Sequence, residues 1–426
     1  MRKFSLKLGL LSILLCFFTS AAWAEGFGLY EYSARGIALG GAMVARTPDP
    51  SCVAYNPALL TRLPGTHMML GTSTVTPSGS MYTNLPGGGE VSTKLKDSTW
   101  VMPHIYFTHQ INDRLTFGIG EFTRFGLGFE YPENWPGRYN IYSVSMLSAS
   151  LNPTLAFKVN DELSRAAGVE GVFVNLDLQK RAPLTIPGVG NLDVDSNIQD
   201  AQAFGIGFNL AAHYQFNDQW AAGVSYRSSI KTKAFGHTEF TKREYTGAPE
   251  GKAIADAAFE QNFNNGQAHA TVILPESVSM GVSYSPIPEL SFEVGAIWTR
   301  WSSFKNLRIY LPNGVLSESR KDWNNAWRLN AGVEYQALDW LTLRAGYVYD
   351  RSPMNEMYED YLVPTDGRHI YSAGLGFSWD NWTLDLAYAY IDAIGREYDY
   401  NPQRGVHKSK AYGHTNIFSM SVGYEF

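Results

Sequence analysis

The chain has 426 residues, a formal net charge of -6 and a mean hydropathy of -0.19. The acidic balance excludes the basic surface that a nucleic-acid-binding protein presents, so no nucleic-acid partner is expected. No apolar run of helical transmembrane length follows the amino terminus, which disfavours a helical membrane protein. Aromatic residues nevertheless make up 14% of the chain, and 40 residues are glycine. This composition fits an outer-membrane β-barrel.

The predicted elements begin with a cleaved secretory signal peptide over residues 1–24. Three basic residues precede an apolar run over residues 8–18, which is too short to span a bilayer as a stable helix. Residues 22–24, Ala-Trp-Ala, match a small-x-small cleavage site, and an uncleaved anchor is the alternative. The mature chain would begin at Glu25 and would keep a single cysteine, Cys52, which excludes an intrachain disulfide.

Residues 25–65 lack the alternation of a β-strand and form the second predicted element. Residues 34–42 are rich in small side chains, and residues 47–50 and Asn56-Pro57-Ala58 carry turn or helix-start signals. The segment is apolar and rich in glycine, unlike a solvated linker. A barrel of about 14 strands has a lumen wide enough to hold a plug. We therefore predict that this segment is an internal hatch; a periplasmic tail is the alternative.

The third predicted element, residues 66–426, is an all-β, antiparallel transmembrane β-barrel. Its segments alternate apolar with small or polar residues, as strands between lipid and a polar lumen do. The clearest are residues 327–335, 341–349, 371–379, 382–390 and 418–426. Short turns such as Asp380-Asn381 alternate with longer polar connections, which is the asymmetry of an outer-membrane barrel. The spacing predicts about 14 strands, with 12 or 16 as the nearest alternatives.

One predicted strand, residues 115–129, breaks the alternation. Its odd-numbered positions are apolar except for Glu121 and Thr123, so a carboxylate occupies a lipid-facing position. A charge in mid-bilayer costs on the order of a few kcal/mol. Gly118, Gly120 and Gly126 would permit a kink or bulge instead, which would open a gap in the wall. A strand offset that places Glu121 near the interface is the alternative.

Two long segments, residues 181–200 and 243–266, are predicted to be extracellular loops. Residues 253–259 within the second read as a helix with Ala and Phe on one side. The apolar residues of both loops could line an access groove, and packing between the loops is the alternative. Polar residues at inward positions predict either a salt-bridged lumen wall or a site for a ligand head group. These residues are Arg328, Glu334, Arg344 and Asp385.

The sequence carries no recognisable catalytic or metal-binding motif. The Gly-x-Ser-x-Gly, His-Glu-x-x-His and Gly-x-x-x-x-Gly-Lys patterns are all absent. Residues 193–197 resemble the start of a calcium loop but lack its glycine and final glutamate. No metal or cofactor is therefore expected. A Ser-His-acid set could still assemble from distant strands, so a lipid-modifying acyl hydrolase remains an alternative, as does a structural or adhesin barrel.

Several short stretches carry a further signal when they are taken together, namely residues 36–41, 56–58, 152–161, 274–276, 298–302 and 327–353. In this order they resemble the FadL/TodX family of outer-membrane channels for long-chain fatty acids and other hydrophobic compounds. The resemblance implies a 14-stranded barrel with an N-terminal hatch and a kinked third strand that opens the wall sideways. It also implies passive uptake, in which loops capture the ligand, the hatch shifts and the ligand leaves laterally.

This resemblance suggests roles for individual residues. We expect ligand contacts from Phe27, Phe122 and Phe125. The hatch and gate residues would be Asn56, Pro57, Ala58, Gly120 and Glu121. Asp366 and Arg368 are polar candidates, although the family's Pro-Asp-x-Asp-Arg motif reads Pro-Thr-Asp-Gly-Arg over residues 364–368, with one acid displaced.

The expected partners follow from the same reading. They are hydrophobic small molecules such as fatty acids or aromatic hydrocarbons, the lipids of the Gram-negative outer membrane, and the barrel insertion machinery. The last strand ends on Phe426, and an aromatic strand of this kind resembles the signal that the insertion machinery reads. We expect the protein to act as a monomer.

Overall fold

The computed structural model describes residues 26–426; the predicted signal peptide, residues 1–24, lies outside this range. Fourteen antiparallel strands form a closed barrel, and the predicted fold class and strand number are confirmed. The strands are β1 (Thr66–Asn84), β2 (Trp100–Asn112), β3 (Leu115–Phe122 and Gly126–Glu130), β4 (Ser143–Lys158), β5 (Leu163–Ile186), β6 (Gly190–Gln215), β7 (Trp220–Arg227 and Ile230–Gly247), β8 (Gly266–Leu274 and Ser277–Ile287), β9 (Leu290–Thr299), β10 (Ala326–Leu338), β11 (Leu341–Arg351), β12 (Thr365–Trp379), β13 (Trp382–Tyr398) and β14 (Ser409–Glu425).

Each strand pairs with the next along the chain, and β1 pairs with β14 to close the ring. Three short strands lie outside this ring. Glu90–Lys94 folds back on the upper part of β1, while Asn306–Tyr310 and Leu316–Arg320 form a hairpin that extends the sheet beside β8. Within residues 26–426, no helix has the length and apolar character needed to cross a membrane.

The helices are short. They are α1 (Ala34–Ala38), α2 (Cys52–Tyr55) and α3 (Lys252–Asn262), with 3₁₀ turns at Pro57–Arg62, Pro136–Tyr139, Pro249–Gly251, Trp301–Ser303, Pro312–Gly314, Glu356–Tyr358 and Pro402–Arg404. The predicted helix at residues 253–259 is confirmed and runs slightly further in both directions.

The alternation in the sequence arises from the two faces of the wall. On β14, Phe418 and Met420 are exposed, while Ser419 and Ser421 are buried. The large side chains point outward, and the small ones face a filled lumen. Tight turns join strands at one end of the barrel, for example between β12 and β13, and long connections lie at the other end. The tight-turn end is periplasmic by this asymmetry.

The prediction of a long loop at residues 181–200 is wrong. The ladder between β5 and β6 continues to its tip, with Ile186 opposite Gly190. The prolines at 183 and 187 suggested a loop, but apolar side chains alternate along this hairpin and pack on one face. That face forms a cluster with α3 that includes Leu184, Ile186, Leu192, Val194 and Phe259. Burial against a helix therefore stabilises this hairpin, and β7 pairs with it up to the tip, where Gly247 lies opposite Gly190.

Residues 26–65, here called the N-terminal segment, lie inside the barrel. The Ala34 amide donates to Ser421 Oγ on β14 at 2.9 Å, and the Val44 amide donates to Glu293 Oε1 on β9 at 2.7 Å. Asn56 Nδ2 donates to the Ala212 carbonyl on β6 at 3.2 Å. The segment thus contacts strands on several sides of the lumen, a position consistent with a hatch.

Candidate functional site

The third strand is bulged where the sequence pattern breaks. Phe122 lies opposite Ser150 on β4, but Gly126 lies opposite Leu147, so β3 holds one extra residue between these points. The Ser148 hydroxyl replaces the lost ladder bonds. It accepts from the Phe125 amide at 2.9 Å and donates to the Phe125 carbonyl at 2.7 Å. This side chain therefore satisfies the backbone at the bulge.

The bulge turns toward the N-terminal segment. The Leu29 amide donates to the Arg124 carbonyl at 2.9 Å, and the Gly126 amide donates to the Phe27 carbonyl at 3.0 Å. These two bonds make a short bridge between the segment and the wall, centred on Gly28 and Phe125. The backbone groups that the kink frees are thus paired inside the lumen rather than with β2.

A gap in the wall follows from this arrangement. The pairing between β2 and β3 ends at Ile105 and Glu121, and the upper part of β3, Gly126–Glu130, pairs with β4 alone. Trp100 to His104 of β2 pair only with β1. Glu121 is half-buried and lies on the outward face at the lower edge of the gap, beside Gly120. A groove of about 350 Å³ marks the gap on the outside of the barrel.

Behind the gap is an inner cavity of about 220 Å³. Its walls are mainly apolar and aromatic, and include Leu29, Leu95, Trp100, Met102, Phe129 and Met146. For comparison, an apolar protein cavity of about 150 Å³ stays dry and binds benzene. The inner cavity therefore has the size and surface for an apolar ligand or part of a longer one.

One side of the inner cavity is charged, but its cations are already paired. Arg328 lies 3.5 Å from Glu31 and 3.9 Å from Asp350. Arg368 also lines the cavity and forms a 2.6 Å ion pair with Asp350. Asp366 instead contacts Arg396 at 2.7 Å and is not part of the cavity wall. The structure therefore separates the two polar candidates, Asp366 and Arg368.

Two further cavities lie toward the extracellular end. A vestibule of about 890 Å³ is open to the long connections. A smaller cavity of about 50 Å³ below it is lined by apolar side chains apart from Thr232. Leu178, Leu307 and Leu362 line both of these spaces.

His407 lies at the edge of the vestibule. Burial lowers the pKa of its imidazole, a hydrogen bond to the Pro136 backbone partly offsets this, and nearby Arg138 lowers the pKa further. The ring is therefore held neutral at neutral pH.

The three predicted phenylalanines are divided between two places. Phe27 lines the small apolar cavity and makes edge contacts with Phe125 at 6.1 Å and with Trp301 at 4.5 Å between ring centroids. Phe122 lies in a separate cluster, 5.0 Å from the Tyr32 ring and under the Arg227 guanidinium. The structure thus brings Phe27 and Phe125 together beside the small apolar cavity and leaves Phe122 apart.

The Asn56-Pro57-Ala58 element makes hydrogen bonds within the N-terminal segment and also to the barrel wall. Asn56 Oδ1 accepts from the Ala58 amide at 3.1 Å and caps the 3₁₀ turn that begins at Pro57. Its Nδ2 donates to the Val44 carbonyl at 2.7 Å as well as to β6. All three residues are buried.

A buried ion network links the segment to β10, β11 and β13. Glu334 accepts from Arg35 Nη2 at 2.7 Å and from Arg344 Nε at 2.6 Å, and Arg344 contacts Asp385 at 2.5 Å. Of the inward polar residues predicted, Glu334, Arg344 and Asp385 therefore form a salt-bridged wall. Sequence reasoning missed Arg35, whose glycine-rich surroundings gave no sign of a charged contact.

A second network on the other side of the lumen was also missed. Glu170 on β5 lies 3.1 Å from Arg124 and 3.0 Å from Arg227. Arg227 also donates to the Val53 and Ala54 carbonyls of α2 at 3.0 and 2.9 Å. A signal existed in the sequence, because both charged residues alternate with apolar neighbours, Glu170 after Val169 and Arg227 after Val224 and Tyr226.

These features define an outer-membrane β-barrel whose lumen is filled by its own N-terminal segment and whose wall is open at the third strand. No group of side chains suited to a metal ion occurs between residues 26 and 426. The profile of the outer membrane protein transport protein family (OMPP1/FadL/TodX) matches residues 15–426. The chain therefore belongs to this family of outer-membrane transport proteins, whose members are channels rather than enzymes.

Individual relatives agree with this assignment. The chain is 22% identical to the long-chain fatty acid transport protein of Escherichia coli K12, with 98% of each chain covered. A FadL homologue of Pseudomonas aeruginosa has a similar structure, with a TM-score of 0.82 at 22% identity over 94% of this chain and 100% of the other. The toluene transporter TodX of Pseudomonas putida gives a TM-score of 0.73 at 16% identity over 93% and 99%.

Proposed function

We propose that this protein is a passive channel that takes up long-chain fatty acids or related apolar and aromatic compounds across the outer membrane. The extracellular connections capture the ligand, the N-terminal segment acts as a hatch that shifts, and the ligand leaves laterally through the gap at β3. The names of the fatty acid and toluene transporters among the similar proteins support this range of substrates.

The observation that carries the proposal is a chain of four adjoining spaces. The vestibule shares three leucines with the small apolar cavity, which shares Leu127 and Met146 with the inner cavity. The inner cavity in turn shares Thr123 and Leu147 with the outer groove. Along the route from the extracellular end to the side of the barrel, each space is therefore separated from the next by only a few side chains.

Movement of the N-terminal segment would connect these spaces. Phe27 borders the small cavity and Leu29 borders the inner one, and both are bonded through their backbone to the bulge of β3. A shift of the segment would break these two bonds and withdraw both side chains from the path. In this proposal Gly120 and Glu121 belong to the gate at the gap, and Asn56 to Ala58 belong to the segment that moves.

Transport of this kind needs no energy source. Burial of apolar surface is favourable by about 25 cal/mol per Å², and both the cavity and the lipid interior supply an apolar environment. Transfer from one to the other is then close to neutral, so ligand flows down its concentration gradient. A lateral exit also keeps the ligand away from the polar surface layer of the membrane.

A variant that fills the gap tests the proposal. Thr123→Trp places a large ring where the inner cavity meets the groove, while Ala345→Trp adds the same ring at an exposed, lipid-facing position of β11. Uptake of radiolabelled oleate and toluene by cells should fall at least 10-fold in the first variant and remain normal in the second. A variant lacking residues 25–64 should show altered, ungated uptake.

Equal uptake by the two tryptophan variants, with both correctly inserted, would overturn the lateral route. Heat-modifiable migration on gels verifies insertion, since a folded barrel migrates differently from an unfolded chain.

We further infer that the protein acts as a monomer and that the insertion machinery reads the aromatic outer face of β14. Sedimentation in detergent and a Phe426→Ala variant test these two points.

A further inference from the structure

Two lysines occupy lipid-facing positions on β7. Ile230, Thr232 and Ala234 are buried toward the lumen, so Lys231 and Lys233 between them point outward, and both are exposed. Lysine on the lipid face of a barrel costs about 2–4 kcal/mol at the bilayer midplane and about 0–1 kcal/mol near the interface. The free-energy cost of these two lysines therefore depends on their depth in the membrane.

The strand geometry places both lysines in the head-group layer. β7 begins at Trp220 beside the periplasmic turn. With a rise of about 3.3 Å per residue and a tilt of about 40°, Lys231 lies about 28 Å above Trp220, and Lys233 about 33 Å above it. The apolar band of such barrels is about 25 Å tall. Both ammonium groups thus lie just above the band, on the extracellular side.

Neither lysine has an acidic partner in the described part of the chain. No carboxylate lies within 4 Å of either ammonium group. Glu276, on the segment that links the two parts of β8, is occupied by Arg300 at 3.1 Å and by the Tyr226 hydroxyl at 2.9 Å. Lys233 Nζ instead lies 4.9 Å from the centre of the Phe235 ring. The pair therefore presents positive charge that no carboxylate of residues 26–426 neutralises by direct contact.

The surface beside these lysines is apolar. On β6, which pairs with β7, Phe208 and Leu210 are 47% and 49% exposed and lie below the lysines, toward the periplasmic end. On the other side, β8 places Ile273 opposite Lys231 and Thr271 opposite Lys233. The face therefore combines two cations with a strip suited to acyl chains.

We propose that this face binds one phosphorylated glycolipid of the outer leaflet, with its phosphates on Lys231 and Lys233 and an acyl chain along Phe208 and Leu210. Lysine binds phosphate as a point charge, and each basic residue near an anionic membrane surface adds to the attraction. The charge, the depth and the adjoining apolar strip all match this occupant. The inference stands independently of the transport proposal.

Native mass spectrometry of the purified full chain tests the site. The probe is bisphosphorylated lipid A added to the delipidated protein in detergent, and the variants are K231Q/K233Q and K94Q/K408Q. Lys94 and Lys408 are also exposed and have no acidic partner among residues 26–426, but they lie beside β1 and β14. The control pair therefore removes the same charge from another face of the same end.

We expect the unaltered chain and the K94Q/K408Q variant to bind one lipid A, and K231Q/K233Q to bind it about 30-fold more weakly. Dephosphorylated lipid A should bind weakly to all three proteins. Inorganic phosphate alone should not bind, which distinguishes a lipid head group from a free anion. Equal lipid A binding by the two double variants, each folded by heat-modifiable migration, would overturn the proposal, as would binding of dephosphorylated lipid A at full strength.

Discussion

The N-terminal segment should loosen when the carboxylate of Glu334 is removed. Glu334 accepts hydrogen bonds from Arg35 Nε at 2.8 Å, Arg35 Nη2 at 2.7 Å and Arg344 Nε at 2.6 Å. Glu334→Gln keeps the shape of the side chain but removes its charge. Arg35 of the N-terminal segment and Arg344 of β11 would then contact a neutral amide instead of the buried carboxylate that now neutralises both.

The size of the effect can be worked out from the remaining contacts. Breaking a buried ion pair costs about 3–5 kcal/mol. Arg35 keeps Asp49 at 3.2 Å and Arg344 keeps Asp385 at 2.5 Å, so neither cation is left without a partner. We therefore expect the lower value, about 3 kcal/mol, which is about a 150-fold change in the equilibrium between the seated and displaced segment.

Single-channel recording in planar bilayers measures this equilibrium. A displaced segment opens the lumen to ions, so Glu334→Gln should show open events about 150-fold more often than the unaltered protein. The matched control is Glu318→Gln, which removes an exposed carboxylate 2.7 Å from Arg308 and should cost less than about 1 kcal/mol. If the two variants conduct alike, Glu334 does not hold the segment in place.

Three more predictions concern single positions. Gly223→Ala should displace the N-terminal segment, because the new methyl group would overlap the Val44 carbonyl, and ion conductance should rise; a closed channel would contradict this. Ser148→Ala should weaken the β3 bulge by about 1–3 kcal/mol, seen as faster amide exchange at Phe125, and unchanged exchange would refute it. His407 has a lowered pKa, so acidification below about pH 6.5 favours states in which the ring is exposed and charged. Amide exchange around the vestibule, expressed relative to the intrinsic exchange rate at each pH, should thus increase from pH 8 to pH 5 and respond less in His407→Gln; an unaltered response would argue against this.

Much of the barrel was predictable because lipid imposes a simple rule on each strand. Outward positions must be apolar and the strand period is two, so stretches such as residues 382–390 reveal their faces directly. The rule applies only where lipid is present. Residues 181–200 lie above the membrane and bury their apolar side against α3, and their prolines suggested a loop.

The site was less predictable because it depends on contacts between distant parts of the chain. Arg35 and Glu334 are 299 positions apart, and nothing local to either residue indicates the other. The positions of the phenylalanines were hard to predict for a different reason. The extra residue in β3 lies between Phe122 and Gly126, so a regular alternation could not place both Phe122 and Phe125.

The bulge of β3 also shows which feature of the sequence specifies the side opening. Four steps along β3, from Phe122 to Gly126, face three steps along β4, from Ser150 to Leu147. The mismatch is a matter of counting and does not depend on the identity of any one side chain. A deletion or insertion of one codon would bring the two strands back into register, whereas a substitution would not. Insertions and deletions at this point are therefore the mutations through which a family of sealed barrels and side-opening barrels could interconvert.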